Sequence, residues 1–186
     1  NEKYAIIRFV AWNATHDIGH RGFSNENKIK LVKELSTYVK IFISEEGDLP
    51  EELKEYQICI KPESIHNILY YAQLLVSESG TMASECAVLG TPSIYIDNKG
   101  RFYTEDEANY GLINTFKEDD LNQNRAIKKA IEIASHPDIK DEYRGKAQLM
   151  LKEKIDVTSL LVWFVENYPE SVREVKSPGF SFDRFK

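Results

Sequence analysis

The sequence predicts an α/β domain in which a parallel sheet lies between two layers of helices. Short apolar segments rich in β-branched residues alternate with segments of helical period through at least five units. The first of them, Tyr4 to Val10 (YAIIRFV), is apolar apart from Arg8, as a strand buried on both faces must be. At Leu74 to Thr81 an apolar strand runs through a polar turn with one glycine straight into a helix, which is the strand–turn–helix unit of a Rossmann-like domain.

Each element has a local reason. Trp12 to Asn25 is rich in Asn, Asp, His, Gly and Ser and reads as a loop. Ser24 or Asn25 can cap a helix running to about Tyr38, with Ile29, Leu31, Val32 and Leu35 as its apolar face. Val39 to Ser44 is a second strand, Leu49 to Glu55 a short helix entered at Pro50, and Gln57 to Ile60 a short third strand. Ser64 can cap a helix containing Ile65, Ile68, Leu69 and Ala72, followed by a strand at Leu74 to Val76. Thr81 to Leu89 is a helix of small residues, closed by Gly90 with Pro92 behind it. Ser93 to Ile96 and Gly111 to Phe116 are further strands. Asp119 or Asp120 caps a helix to about Ser135, and Asp141 to Lys154 and Val157 to Asn167 are two more.

The 186 residues suit one domain with a small appendage, expected here as a domain over 1–168 and an aromatic tail over 169–186. A chain of this length buries enough surface to fold without staples. The formal net charge of -6 argues against general nucleic-acid binding, which depends on Lys and Arg neutralising phosphates, but leaves room for a local pocket for one small anion. The two cysteines, Cys59 and Cys86, sit in apolar runs without metal spacing and read as buried thiols. No apolar run reaches about 18 residues and no signal peptide is visible, so a cytoplasmic protein without a membrane span is expected. The chain opens at Asn1 and enters a strand at once, which reads as a piece of a longer protein.

In a parallel sheet, ligands bind outside the carboxyl ends of the strands, so the loops after the strands carry the candidates. The strongest is Ser77-Glu78-Ser79-Gly80-Thr81. Free N–H groups and the positive dipole end at a helix start suit a phosphate, Gly80 allows close approach, and Ser79 and Thr81 add hydroxyls. Glu85, one turn on, can accept from a diol. The same residues also fit a plain N-cap and a solvated glutamate. Neither GxxxxGK[ST] nor GxGxxG is present. The loop Asn13 to Gly22 shares the carboxyl edge. Asn13, Thr15, His16 and Arg21 can contact substrate there, or form an ordinary polar loop. His16 and His20 stand four apart, but Gly19 and Gly22 argue against a helix and no third ligand has supporting spacing, so no metal site is expected. Lys61 to His66 can frame a planar base or simply start a helix. Arg101, Tyr103, Glu105 and Asp106 follow a strand and can line the same edge. The stripes with Tyr70, Tyr71, Trp163 and Phe164 read as core. No GxSxG or Cys–His signature for nucleophilic catalysis appears.

The string SESGTMASECAVLGTP, from Ser77 to Pro92, resembles the donor-binding segment of GT-B glycosyltransferases and UDP-N-acetylglucosamine 2-epimerases. Tyr70 to Pro92 resembles the GT-B-like family DUF354 more closely than it does either of these. The resemblance implies the C-terminal half of a GT-B fold and a nucleotide-sugar substrate, UDP-linked, with no cofactor and no metal. It implies that Ser79, Gly80 and Thr81 hold the pyrophosphate, that Glu85 binds the ribose, that Ile65 and His66 sit beside the base, and that Asn13 to Arg21 faces an interdomain cleft. Thr81 stands where the epimerases have a second glycine, and their His-Arg-x-Glu-Asn string is not cleanly present. No catalytic residue is therefore carried over to His16. An N-terminal GT-B domain of similar size is expected to be missing from this chain, leaving half an active site, inactive alone. The implied function is the nucleotide-sugar-binding domain of a transferase. The alternatives are an epimerase-like domain or a non-catalytic scaffold that kept the fold.

Overall fold

The structure is a computed structural model that describes residues 2–12 and 19–186. Five strands form one fully parallel sheet: β1 (Tyr4–Phe9), β2 (Lys40–Glu45), β3 (Leu74–Ser77), β4 (Ser93–Ile96) and β5 (Ile113–Phe116), in the order β2-β1-β3-β4-β5. Arg8 pairs with Ser44 on one side and Ser77 on the other, and Ser77 in turn pairs with Tyr95. The helices are α1 (Asn25–Leu35), α2 (Ile65–Tyr71), α3 (Gly80–Leu89), α4 (Phe102–Asn109), α5 (Asp120–Ser135), α6 (Ile139–Glu153), α7 (Val157–Glu166) and α8 (Glu170–Val175).

The strand order explains the layers. The chain leaves β1 toward β2 in one direction and crosses from β3 to β4 to β5 in the other. Right-handed crossovers then put α1 and α3 on opposite faces. α5 returns to the α1 face, where Asn27 Nδ2 donates to Gln123 Oε1 at 2.7 Å. On the other face Ile6, Leu69, Ala72, Leu75 and Cys86 form a core cluster, with Ile65, Met82 and Leu89 packed against it. Ala5, Ile7, Leu74 and Val76 are equally buried. The central strands are thus covered on both sides, which is why they read as unbroken apolar runs.

Several boundaries shift for identifiable reasons. α1 is capped by Ser24, whose side chain accepts from Asn27 N at 3.2 Å. It ends at Leu35 rather than Tyr38 because the hydroxyls of Ser36 and Thr37 bond back to the carbonyls of Lys33 and Glu34. The expected strand at Gln57 to Ile60 is reduced to one parallel bridge, Ile43 with Gln57, between 3₁₀ turns at Glu51–Tyr56 and Pro62–Ser64. α4 was not expected, since its residues lack an apolar stripe and Phe102 is 94% exposed; the Thr104 side chain fixes its first turn through Arg101 N and O. Gly90 ends α3 in the left-handed region at φ +68. Cys86 is buried as expected, but Cys59 is exposed because its neighbours Ile58 and Ile60 take the inward positions. Tyr70 and Tyr71 are also exposed, not core.

The chain divides into two compact units, 1–147 and 148–186. The first holds the sheet. In the second, Trp163 stacks on Phe180 at 5.6 Å and lies 5.4 Å from Phe185, with the Arg184 guanidinium 4.4 Å from the Trp163 ring. α7 is capped by Asp156, and Ser171 Oγ donates to Phe164 O at 2.7 Å. Among the described residues, no helix is long and apolar enough to cross a membrane.

Candidate functional site

Two strands that diverge in connection leave a crevice at their carboxyl ends, and here that place lies between β1 and β3. A cavity of about 260 Å³ occupies it. Val10 and Trp12 after β1, Glu78 to Thr81 after β3, and Tyr95, Asp97, Arg101 and Tyr103 from the β4 end line it, with Glu46 at the β2 side.

The floor is the turn into α3. Ser77 is buried, and its hydroxyl both accepts from Ser79 N at 2.8 Å and donates to Ser79 O at 3.1 Å. Ser79 caps α3, its side chain accepting from Met82 N at 3.5 Å. The N–H groups of Gly80 and Thr81, in the first turn, have no intrahelical acceptor and face no carbonyl among the described residues. Gly80 is needed for close approach: a Cβ there would lie 3.0 Å from Tyr95 Oη and 3.1 Å from Tyr103 Oη. Two phenols thus crowd the turn whose N–H groups lack a backbone acceptor among the described residues. Burial, with the Asp97 carboxylate beside it, pushes the Tyr95 phenol up, so it stays protonated and donates a hydrogen bond to Asp97 Oδ2 at 2.5 Å.

Glu78 holds the wall. It is 3% exposed, and its Oε2 accepts from Val10 N at 2.8 Å and Trp12 Nε1 at 3.1 Å, while Oε1 accepts from Phe23 N at 2.6 Å. One carboxylate thus ties both ends of the β1–α1 loop to β3. Burial pushes its pKa up to about 7 against the pull of these N–H donors.

Beside the cavity lies a second constellation. His20 Nδ1 is 2.7 Å from Glu118 Oε1 and 3.4 Å from Asp97 Oδ1, and the His20 ring stacks on Trp12 at 5.0 Å. Glu118 Oε2 accepts from Arg21 N at 2.7 Å.

The sequence candidates separate. Ser79, Gly80 and Thr81 line the cavity together, and Arg101 and Tyr103 join them, whereas Glu105 lines a different opening. Glu85 and His66 meet, Nε2 to Oε1 at 3.6 Å, at a mostly apolar hollow of about 470 Å³ with Val88 and Leu89. Ile65 packs into the core cluster under α2. Arg21 is exposed and borders another opening with Glu118 and Asp119. Asn13, Thr15 and His16 lie outside the described residues. Sequence reasoning missed Glu78 as a tether and the roles of Tyr95, Asp97 and Glu118. Their positions carried a usable signal, since each lies within two residues of the carboxyl end of a strand.

No family model and no curated protein matches the chain. Solved structures do. The calicheamicin glycosyltransferase CalG4 aligns with a TM-score of 0.56 at 13% identity over 90% of this chain and 43% of its own. Os79 from O. sativa, in complex with UDP, aligns with 0.55 at 16% identity over 82% and 36%. A Listeria monocytogenes protein assigned as a UDP-N-acetylglucosamine 2-epimerase aligns with 0.54 at 14% identity over 82% and 44%. The chain therefore spans about two fifths of the length of these structures. At such identities the likeness shows the fold: a five-stranded Rossmann-like domain of the GT-B type.

Proposed function

We propose that this chain is the nucleotide-sugar-binding, C-terminal half of a GT-B-like glycosyltransferase akin to the DUF354 family, with a UDP-sugar as donor. The observation that carries the reading is the turn into α3 that lines the cavity between β1 and β3, where the N–H groups of Gly80 and Thr81 have no backbone acceptor among the described residues and Arg101 lies at the side. A cavity of about 260 Å³ suits a diphosphate rather than a whole nucleotide sugar. The donor's ends would therefore lie outside it. Glu85, four residues beyond Thr81 on α3, would accept from the ribose hydroxyls, with His66 alongside the base. Residues 1–168 would make the donor domain and 169–186 its tail, and a preceding N-terminal domain would bring the acceptor.

In transfer, charge builds on the leaving diphosphate. Fixed N–H dipoles and the Arg101 guanidinium aimed at that charge would stabilise it without rearranging. The solved relative with UDP bound supports the ligand class. Titration calorimetry with UDP, UDP-sugars and inorganic phosphate tests it, on this chain and on a longer form with a preceding domain. Binding of UDP that is lost in Gly80→Val is expected. No heat with millimolar UDP in either form would overturn the reading, and product analysis separates transfer from epimerisation.

A further inference from the structure

We infer that His20, Asp97 and Glu118 form a binding site for one divalent transition-metal ion. Three loops, following β1, β4 and β5, bring these side chains to one point. His20 Nδ1 lies 2.7 Å from Glu118 Oε1 and 3.4 Å from Asp97 Oδ1, and one ligand atom from each residue falls within 4.8 Å of the others. The three side chains are nearly sealed, at 4% exposure for His20, 2% for Asp97 and 4% for Glu118.

Charge makes the first argument. Two sealed carboxylates face one ring nitrogen; the Arg101 guanidinium reaches Asp97 Oδ2 at 3.9 Å, which leaves Glu118 to be balanced from the His20 side, because an uncompensated buried charge is costly. A proton on the imidazole supplies one unit, and a divalent ion supplies two. Geometry makes the second. With an ion about 2.1 Å from His20 Nδ1 and from each carboxylate oxygen, the 2.7 and 3.4 Å separations subtend about 80° and 108°, and the Asp97–Glu118 pair, within 4.8 Å, needs to come within about 4.2 Å. One imidazole nitrogen with two carboxylate oxygens suits Mn²⁺, Fe²⁺, Co²⁺ or Zn²⁺ better than soft Cu(I) or an all-oxygen Ca²⁺ site.

The surrounding bonds make the third. Asp97 accepts from Tyr95 Oη at 2.5 Å and from Lys99 N at 2.9 Å, and Glu118 Oε2 accepts from Arg21 N at 2.7 Å. The His20 ring lies within 9° of parallel to Trp12. Each ligand is thus oriented by a group that is not itself a ligand, as metal sites require. Asp97 also borders both the 260 Å³ cavity and a larger opening of about 750 Å³, which gives an ion a way in. Among the described residues Glu46, Glu78 and Asp97 line the cavity with the Arg101 guanidinium, which lies 3.9 Å from Asp97, while Glu46 is paired with Arg8. A divalent ion there would turn an acidic rim toward an anionic ligand. That last consequence rests on the nucleotide reading; the metal site does not.

The test uses the chelator-treated chain and the metal alone. Mn²⁺, Zn²⁺ and Co²⁺ are titrated by calorimetry, with Co²⁺ absorption and the nitrogen coupling of bound Mn²⁺ as reporters. One ion per chain is expected. Affinity should fall at least about tenfold in His20→Gln, Asp97→Asn and Glu118→Gln, and about tenfold to a hundredfold in Tyr95→Phe. Binding that is absent, or equal in the folded variants and the wild type, overturns the site. If the variants do not fold, the wild-type Mn²⁺ spectrum decides: imidazole coupling supports the site and its absence overturns it. Tight metal binding without UDP binding would leave this site standing and remove the nucleotide reading alone.

Discussion

Gly22 and Glu78 are fitted so closely that a Cβ on residue 22 would lie 2.2 Å from Glu78 Oε1 and 2.6 Å from Trp12 Nε1. Gly22 also has φ +61, a conformation L side chains rarely adopt. Gly22→Ala should therefore destabilise the fold by about 2 kcal/mol or more, combining backbone strain with displaced hydrogen bonds. Urea unfolding measures it. A change under about 0.5 kcal/mol, the range of neutral surface substitutions, would show that Glu78 does not depend on this contact.

Glu78 should titrate near pH 7. Burial raises its folded pKa above the unfolded value, so the folded state holds this proton more tightly. Its contribution to stability is complete below about pH 4.5 and is lost as pH rises through about 7, a loss of order 3 kcal/mol. The Trp12 indole N–H donates to this carboxylate, so its NMR shift should move with a midpoint near 7. A midpoint near 4.5 would refute the assignment. Glu78→Gln should lack this pH-dependent loss, whatever its fixed cost.

Lys140 works in the opposite sense. Burial, and then the neighbouring Arg144 charge, lower its pKa to about 8. Its ammonium donates to Tyr70 O at 2.5 Å, Ala72 O at 2.7 Å and Thr91 Oγ1 at 3.1 Å, closing the end of α2. Between about pH 8 and 10.5 the unfolded chain binds more protons at this site, so wild-type stability should rise with pH across that window relative to Lys140→Met. Denaturant midpoints at pH 7 to 10 compare the two, and parallel curves would count against it.

Arg101 is the cationic side chain lining the cavity among the described residues. If the cavity takes a diphosphate, Arg101→Ala should weaken UDP binding about tenfold or more, a charge-assisted bond of roughly 1.5 kcal/mol or above. The loss should shrink at high salt, whereas unchanged affinity at low salt would place the phosphates elsewhere.

The sheet was legible because its central strands are covered on both faces, and such strands show as apolar runs. The floor of the cavity was legible for a related reason: strand, turn, glycine and helix are contiguous from Leu74 to Leu89. α4 escaped because a helix fixed by Thr104 on its own first turn needs no apolar stripe. The His20 constellation escaped because its partners are 77 and 98 positions away in the chain, separations that only the strand order closes. Glu78 looked like one more polar turn residue. Its role lies in three N–H groups that the turn itself does not contain.

The two thiols give the molecule an internal clock. Cys59 is exposed, while Cys86 is fully buried in the core cluster and its thiol is pushed up by that burial. A thiol reagent should consume one equivalent at once and the second only as fast as the core opens. The slow phase then reports opening at the sheet from within the unmodified sequence, and a ligand bound at the carboxyl edge should lengthen it without touching either sulfur.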